Sequence, residues 1–203
     1  MGTIGAFLFL WLRELGGSEA LDGVALAMTC VSEVAVFYFA GEMQAKLGLT
    51  GCLHLVIACY LARCVYYAAL PALGGVWAVL PIQLLHGLTF GLYWATGNGY
   101  ARALAPPGLE SSMQALFAGL NSLGAFVGNC AAGALVQRRG FPALFLALAA
   151  TAVAAQAALA ASQVQERRSA AAAERKPPGY APVAADEADE AGEVEQPAQH
   201  APA

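Results

Sequence analysis

The stretch VWAVLPIQLLHGLTFGLYWATGNGY, Val76 to Tyr100, runs for 25 residues without one Asp, Glu, Lys or Arg. As a helix it rises about 37 Å, more than enough for the ~30 Å hydrocarbon core of a bilayer. Outward from it, further apolar runs cover Val24 to Ala40, Thr50 to Leu70, Ser111 to Val136 and Phe141 to Ala161. A shorter run, residues 3–12, amounts to part of a crossing, roughly 16 Å. Turn chemistry separates the runs: Gly16-Gly17-Ser18, Gly48, Pro71 with Gly74-Gly75, Pro106-Pro107-Gly108, and Gly140 with Pro142. Alternating ten-residue segments of the barrel type are absent, and lipid tolerates no unpaired backbone, so the expected fold is all-α and integral to the membrane. It comprises a partial first helix and five transmembrane helices within residues 1–161, followed by a disordered acidic tail, 162–203.

Composition supports that solvent. Of 203 residues, 59% are hydrophobic and 12% charged, against roughly 45–50% and about 25% in soluble domains. Gly23 to Ala161 holds eight charged residues, while Ser162 to Ala203 holds twelve. Acids and bases balance in residues 1–161, so the net charge of −4 belongs to the tail and nucleic acid is an unsuited partner. Cys30, Cys52, Cys59, Cys64 and Cys130 show no metal or redox spacing and read as small apolar packers. No metal set, phosphate loop or nucleophile motif appears, so neither an enzyme nor a cofactor is expected. A cytoplasmic tail puts Lys46, Arg102, Arg167, Arg168, Arg175 and Lys176 inside, against Arg13, Arg138 and Arg139 outside.

Three ionisable residues lie deep in the spans: Glu33, Arg63 and His86. Each costs at least ~2.5 kcal/mol in lipid if it is of the Glu or Arg class, so each needs a partner or a wet cavity. Counted from the outer ends of their spans they sit about 14, 11 and 15 Å deep, which permits a Glu33–Arg63 ion pair with His86 beside it. Tyr60 and Tyr67 lie one turn either side of Arg63 and are placed to hold it. On the 76–100 span, Gln83, His86, Phe90, Tyr93 and Gly97 share an arc of roughly 80°, a polar and aromatic stripe suited to an organic solute. Gln114 and Asn121 mark a similar face on the next span. Gly87, Gly91 and Gly99, with Gly124 and Gly128, follow small-residue spacing for close helix packing. The alternative for Glu33, Arg63 and His86 is that they only assemble the bundle.

The segment Gly41-Glu42-Met43-Gln44-Ala45-Lys46-Leu47-Gly48 resembles the G-x-x-x-D-[RK]-x-G loop of the major facilitator superfamily, with Gly41, Lys46 and Gly48 at matching positions and Ala45 where the acid stands. Further stretches are similar to its domain-containing-protein-six and phenylpropionate-permease branch. They are Leu12 to Glu19, Ser32-Glu33, His86-Gly87-Leu88-Thr89-Phe90 with Trp94, and Ala105 to Glu110 followed by Gln114. The resemblance implies helices seven (partial) through twelve, one six-helix half of a transporter working by alternating access. The other half, or a second copy, would be its partner, besides the lipid bilayer, a small organic solute and protons. It also implies either a truncated gene product or an incompletely captured reading frame. Glu33, Arg63 and His86 resemble the coupling groups of sugar–proton symporters, which carry a second carboxylate where this chain has Thr89. A non-transporting receptor-like or scaffold protein of the same fold is the other expectation; which membrane holds the chain is left open.

Overall fold

A computed structural model describes residues 2–174. Of these, residues 2–161 form one compact unit and residues 162–174 belong to a second. The described residues form helices joined by short turns, with no strand: α1 (Gly2–Glu14), α2 (Glu19–Ala69), α3 (Val79–Gln83), α4 (Tyr93–Ala103) and α5 (Glu110–Glu174), with 3-10 turns at Leu70–Ala72 and Val76–Ala78 and a π-helical segment at Leu88–Leu92.

Two of these helices are too long to be straight in a bilayer. A continuous 51-residue α2 would rise about 77 Å. It is interrupted at Gly48, whose φ of 68° and ψ of 167° lie outside the helical region, and α5 is interrupted in the same way at Gly140, φ 77° and ψ 175°. This corner of conformational space is open to glycine almost alone. The chain turns back there: Ala40, before the break, shares a buried cluster with Cys52 and Val56 after it. Each helix is thus two arms, 19–47 and 49–69 in α2, 110–139 and 141–174 in α5. The Gly41-to-Gly48 segment, expected as a loop, is helix up to Leu47, and the break is confined to Gly48. Replacing Gly48 or Gly140 by Ala should cost about 1–3 kcal/mol each, measurable by thermal unfolding in a bilayer mimetic; unchanged midpoints would show that the breaks relax freely.

The main core takes its buried residues from the other arms, with Val136 of the 110–139 arm packed against it. Ile4, Leu8, Trp11 and Leu12 of α1 meet Leu21, Cys64 and Tyr67 of α2, Val79 of α3, and Phe141, Phe145 and Ala149 of α5. Trp11 stacks on Phe141 at 5.2 Å, and its Nε1–H donates to the Tyr67 carbonyl, 3.2 Å. Ser18 caps α2 by accepting from the Leu21 amide, with Glu19 and Asp22 in the first turn. Arg13 Nε donates to Asp22 Oδ2 at 3.0 Å, and that bond raises the guanidinium's pKa above its ordinary value.

In the second unit, residues 162–174 are helical, where the sequence reading has disorder from Ser162. Gln, Glu, Arg and Ala are strong helix formers, which suffices to carry a helix through this polar stretch. The acidic run from Asp186 and the rest of the tail lie outside the described residues.

Candidate functional site

The site grows from a fault in one helix. Pro81 stands in the first turn of the short α3, where a missing amide is tolerated, and the irregularity follows it. The Leu84 and Leu85 amides bond back only three residues, to the Pro81 and Ile82 carbonyls, and Leu88–Leu92 then winds as a π-helix. The segments Val76–Gln83 and Leu88–Ala103 meet at 46°. Such irregular turns free backbone groups and re-aim side chains, which is why they recur at functional sites.

The first arm of α2 lies directly on this fault. Ser32 Oγ accepts the Gly87 amide at 3.0 Å. Glu33 Oε1, on the next residue, approaches His86 Nε2 at 2.9 Å, with both side chains about three-quarters buried. His86 stacks on Phe90 at 5.5 Å, and Phe90 meets Trp94 at 6.2 Å. On the other side stands Arg63 of the second arm, 2% exposed. Its Nε and Nη2 donate to the Tyr67 hydroxyl at 3.2 and 2.9 Å, its Nη1 to Thr89 Oγ1 at 2.5 Å, and its Nη2 to Gln83 Oε1 at 3.4 Å. The Tyr67 hydroxyl in turn donates to Gln83 Oε1 at 3.1 Å. The expected Glu33–Arg63 ion pair is therefore replaced. The faulted segment turns His86 to one arm of α2 and Thr89 to the other, and so stands between the acid and the guanidinium. Thr89 ties the two sides together by donating to the His86 carbonyl at 3.2 Å.

The same fault divides the stripe expected on the 76–100 span. Gln83 is buried against Arg63 while His86 faces Glu33; Tyr93 points elsewhere again, donating from its hydroxyl to Asn121 Oδ1 of α5 at 3.0 Å. Tyr67 holds Arg63 as expected, its ring 5.6 Å from the guanidinium carbon; Tyr60 is not among Arg63's hydrogen-bond partners and instead lines a cavity with Tyr93. Gln114 is half-buried and joins neither group of residues. Of the small residues, a Cβ on Gly87 would overlap the Ser32 carbonyl, one on Gly99 would come 2.9 Å from Leu49 Cδ2, and one on Gly128 3.1 Å from Thr3 Oγ1. Gly91 has Val36 and Phe37 at ordinary contact distance. Gly124, expected to pack a helix, has nothing within 4 Å and borders a cavity instead. Lys46 pairs with Glu42 at 3.7 Å on the surface, and Gly41 adjoins no neighbour.

Ser32, Thr89 and Phe117 are the residues that sequence reasoning underrated. No spacing in the sequence marks the first two, whose contacts depend on the irregular turns at Leu84–Leu92. Phe117 sits in the notch left by Gly97, where a Cβ would overlap its ring. Two buried polar atoms at the fault, Gln83 Nε2 and His86 Nδ1, have no partner. Among the described residues no group of His, Cys, Asp and Glu could hold a metal ion.

The profile of the MFS_1 like family matches residues 1–147. The chain is similar to the major facilitator superfamily domain-containing protein 6-like of Homo sapiens, 32% identical over 153 residues, 72% of this chain and 25% of that protein. It is also similar to the maltose permease of Geobacillus stearothermophilus, 31% identical over 70% of this chain and 35% of that one. The sugar efflux transporter A of Dickeya chrysanthemi is 27% identical over 66% and 33%. The chain thus spans about a quarter to a third of these relatives. No solved structure matches it.

Proposed function

This chain belongs to the MFS_1 like family, and from that premise we propose that it is the C-terminal half of a secondary-active transporter of a small organic solute. The arms 19–47 and 49–69, the bent 76–103 segment, and the arms 110–139 and 141–161 are its five full crossings, with α1 a partial sixth. Transport by alternating access needs a second half, six more helices or another copy, across the solute path. The tail lies on the cytoplasmic side by the count of basic residues. The names of the relatives, a maltose permease and a sugar efflux transporter, place sugars among the solutes to try first.

The observation that carries the reading is the Glu33–His86 contact at the helix fault. A carboxylate and an imidazole within one hydrogen bond attract when one is anionic and the other cationic; a proton added to Glu33, or lost from His86, removes that attraction. Because the pair bridges α2 and the faulted helix, its protonation biases how those helices sit, which is the physical requirement for coupling a proton to a conformational change. Ser32 on Gly87 and Arg63 on Thr89 hold the two sides of the fault while this happens.

Uptake of labelled sugar into proteoliposomes carrying the protein tests this. Glu33→Gln and His86→Ala should each lower uptake at least about fivefold and flatten its dependence on pH, the size of a coupling of 1 kcal/mol or more. Parental uptake with a parental pH profile in both variants would remove the pair from the mechanism.

A further inference from the structure

Arg63 carries a charge that the described residues do not answer. It is 2% exposed, and its hydrogen bonds go to Tyr67, Thr89 and Gln83, all neutral. Among the described residues no carboxylate pairs with it, and Glu33 stands across the fault on His86. So little of Arg63 is open that a carboxylate from another half or copy has no way to reach it. Buried charges are ordinarily paired, and one left alone in a low-dielectric interior is among the most costly arrangements a protein can hold. Gln83 beside it is 1% exposed. Its Oε1 accepts from both the Tyr67 hydroxyl and Arg63 Nη2. A guanidinium has donors only, so the amide cannot be turned round, and Nε2 is left with two hydrogens and no acceptor. Nε2 shares its carbon with Oε1, which puts it within about 6 Å of Nη2. A buried cation without a counter-charge and a buried amide without an acceptor thus lie side by side.

The geometry points to a site for a single small anion, a halide such as chloride, held between Arg63 and the Gln83 amide. Chloride is a pure acceptor: it takes the Nε2 hydrogens and answers the guanidinium at once. A water molecule would take the amide hydrogens but brings no charge. Size selects among anions, because side chains as closed as Arg63 and Gln83 admit a monatomic ion and exclude the carboxylate or phosphate of a larger solute. Tyr60, one turn before Arg63 on the same arm, is a wall of a cavity of about 370 Å³, and that space is the approach. Bound there, the anion neutralises the guanidinium while its bonds to Thr89 and Tyr67 stay in place. The fault thereby keeps a cation without an internal carboxylate to pair it.

The experiment titrates the protein in lipid nanodiscs with sodium chloride against sodium gluconate at constant ionic strength. The line width of the chloride NMR signal reports binding, and thermal unfolding reports its consequence. Saturable broadening is expected, with a rise in the melting midpoint of about 3–5 °C for each tenfold of chloride above its dissociation constant. Arg63→Met should lose both responses. Gln83→Leu should weaken chloride binding at least about tenfold, the scale of one hydrogen bond to an ion. Gln83→Glu sets a carboxylate beside the guanidinium, so it should bind no chloride and melt without chloride as high as the parent does with it. Val153→Ala, an exposed position on the second arm of α5, should respond like the parent. Chloride and gluconate acting alike on the parent, or a chloride response that survives in Arg63→Met or Gln83→Glu, overturns the site. Should Arg63→Met not fold, Gln83→Glu decides alone. Neither readout is uptake, so loss of this site would leave the Glu33–His86 test of transport where it stands.

Discussion

Gly87→Ala should lower the stability of the bundle by about 2–4 kcal/mol, although the same change at Gly91, one turn on, should be nearly silent. At Gly87 the added methyl would overlap the Ser32 carbonyl oxygen, lie 2.6 Å from its carbon and 2.9 Å from Val36 Cγ2. Backbone cannot rotate aside as a side chain does, so the helices must separate. Overpacking of this kind costs about 1–3 kcal/mol, and separation also breaks the Gly87 amide bond to Ser32 Oγ, about 1 kcal/mol more. At Gly91 the nearest atoms, on Val36 and Phe37, stand 3.5 and 3.6 Å away, and Ala gains up to about 1 kcal/mol of helix propensity. Thermal unfolding of both variants in one detergent or nanodisc settles the comparison. Equal midpoints would mean that α2 does not press on the fault as described. The Gly87 variant should also lose the pH dependence of uptake, since parting these helices parts Glu33 from His86.

Arg63→Met is expected to abolish uptake while leaving the melting temperature unchanged or higher. Arg63 is buried, and among the described residues its hydrogen bonds all go to neutral groups, Tyr67, Thr89 and Gln83. Burying an ion costs several kcal/mol, and removing one is strongly destabilising when an opposite charge is left behind. No such charge is stranded here. The Tyr67–Gln83 bond persists without Arg63, and Thr89 keeps the His86 carbonyl. Met fills comparable length with an adaptable apolar chain. A cation retained at this cost is explained by its work at the fault, where it holds Thr89 and Gln83 to the second arm of α2 beside the Glu33–His86 pair. The opposite outcome, a large loss of stability with uptake preserved, would make Arg63 a structural element and nothing more.

The helices were legible in the sequence because their cause is local. Gly48, the Pro106-Pro107-Gly108 turn and Gly140 interrupt the helices, although the helix before Gly48 runs past Ala40, where the apolar run stops. The pairing of Glu33, Arg63 and His86 was not legible. A regular helix carries His86 and Thr89 at a fixed angle, whereas the tightened turn at Leu84–Leu85 and the π-helical turn change that angle and send the two residues to different arms of α2. Helical-wheel reasoning fails wherever the helix does, and here it fails at the candidate site. Gly124 illustrates a different gap: its spacing promised close packing, but spacing along one helix does not say whether a second helix lies there. Phe117 could be found only from the space beside Gly97, a contact between residues 20 positions apart.

The most direct test of the account is a double-mutant cycle on uptake, with Glu33→Gln, His86→Gln and the two combined. If the pair works as one unit across the fault, either single change already destroys it, and the double variant should be no slower than the slower single one, with a coupling energy of about 1–3 kcal/mol. Additive losses, the double variant slowed by the product of the two single effects, would show that Glu33 and His86 act separately and would contradict the account.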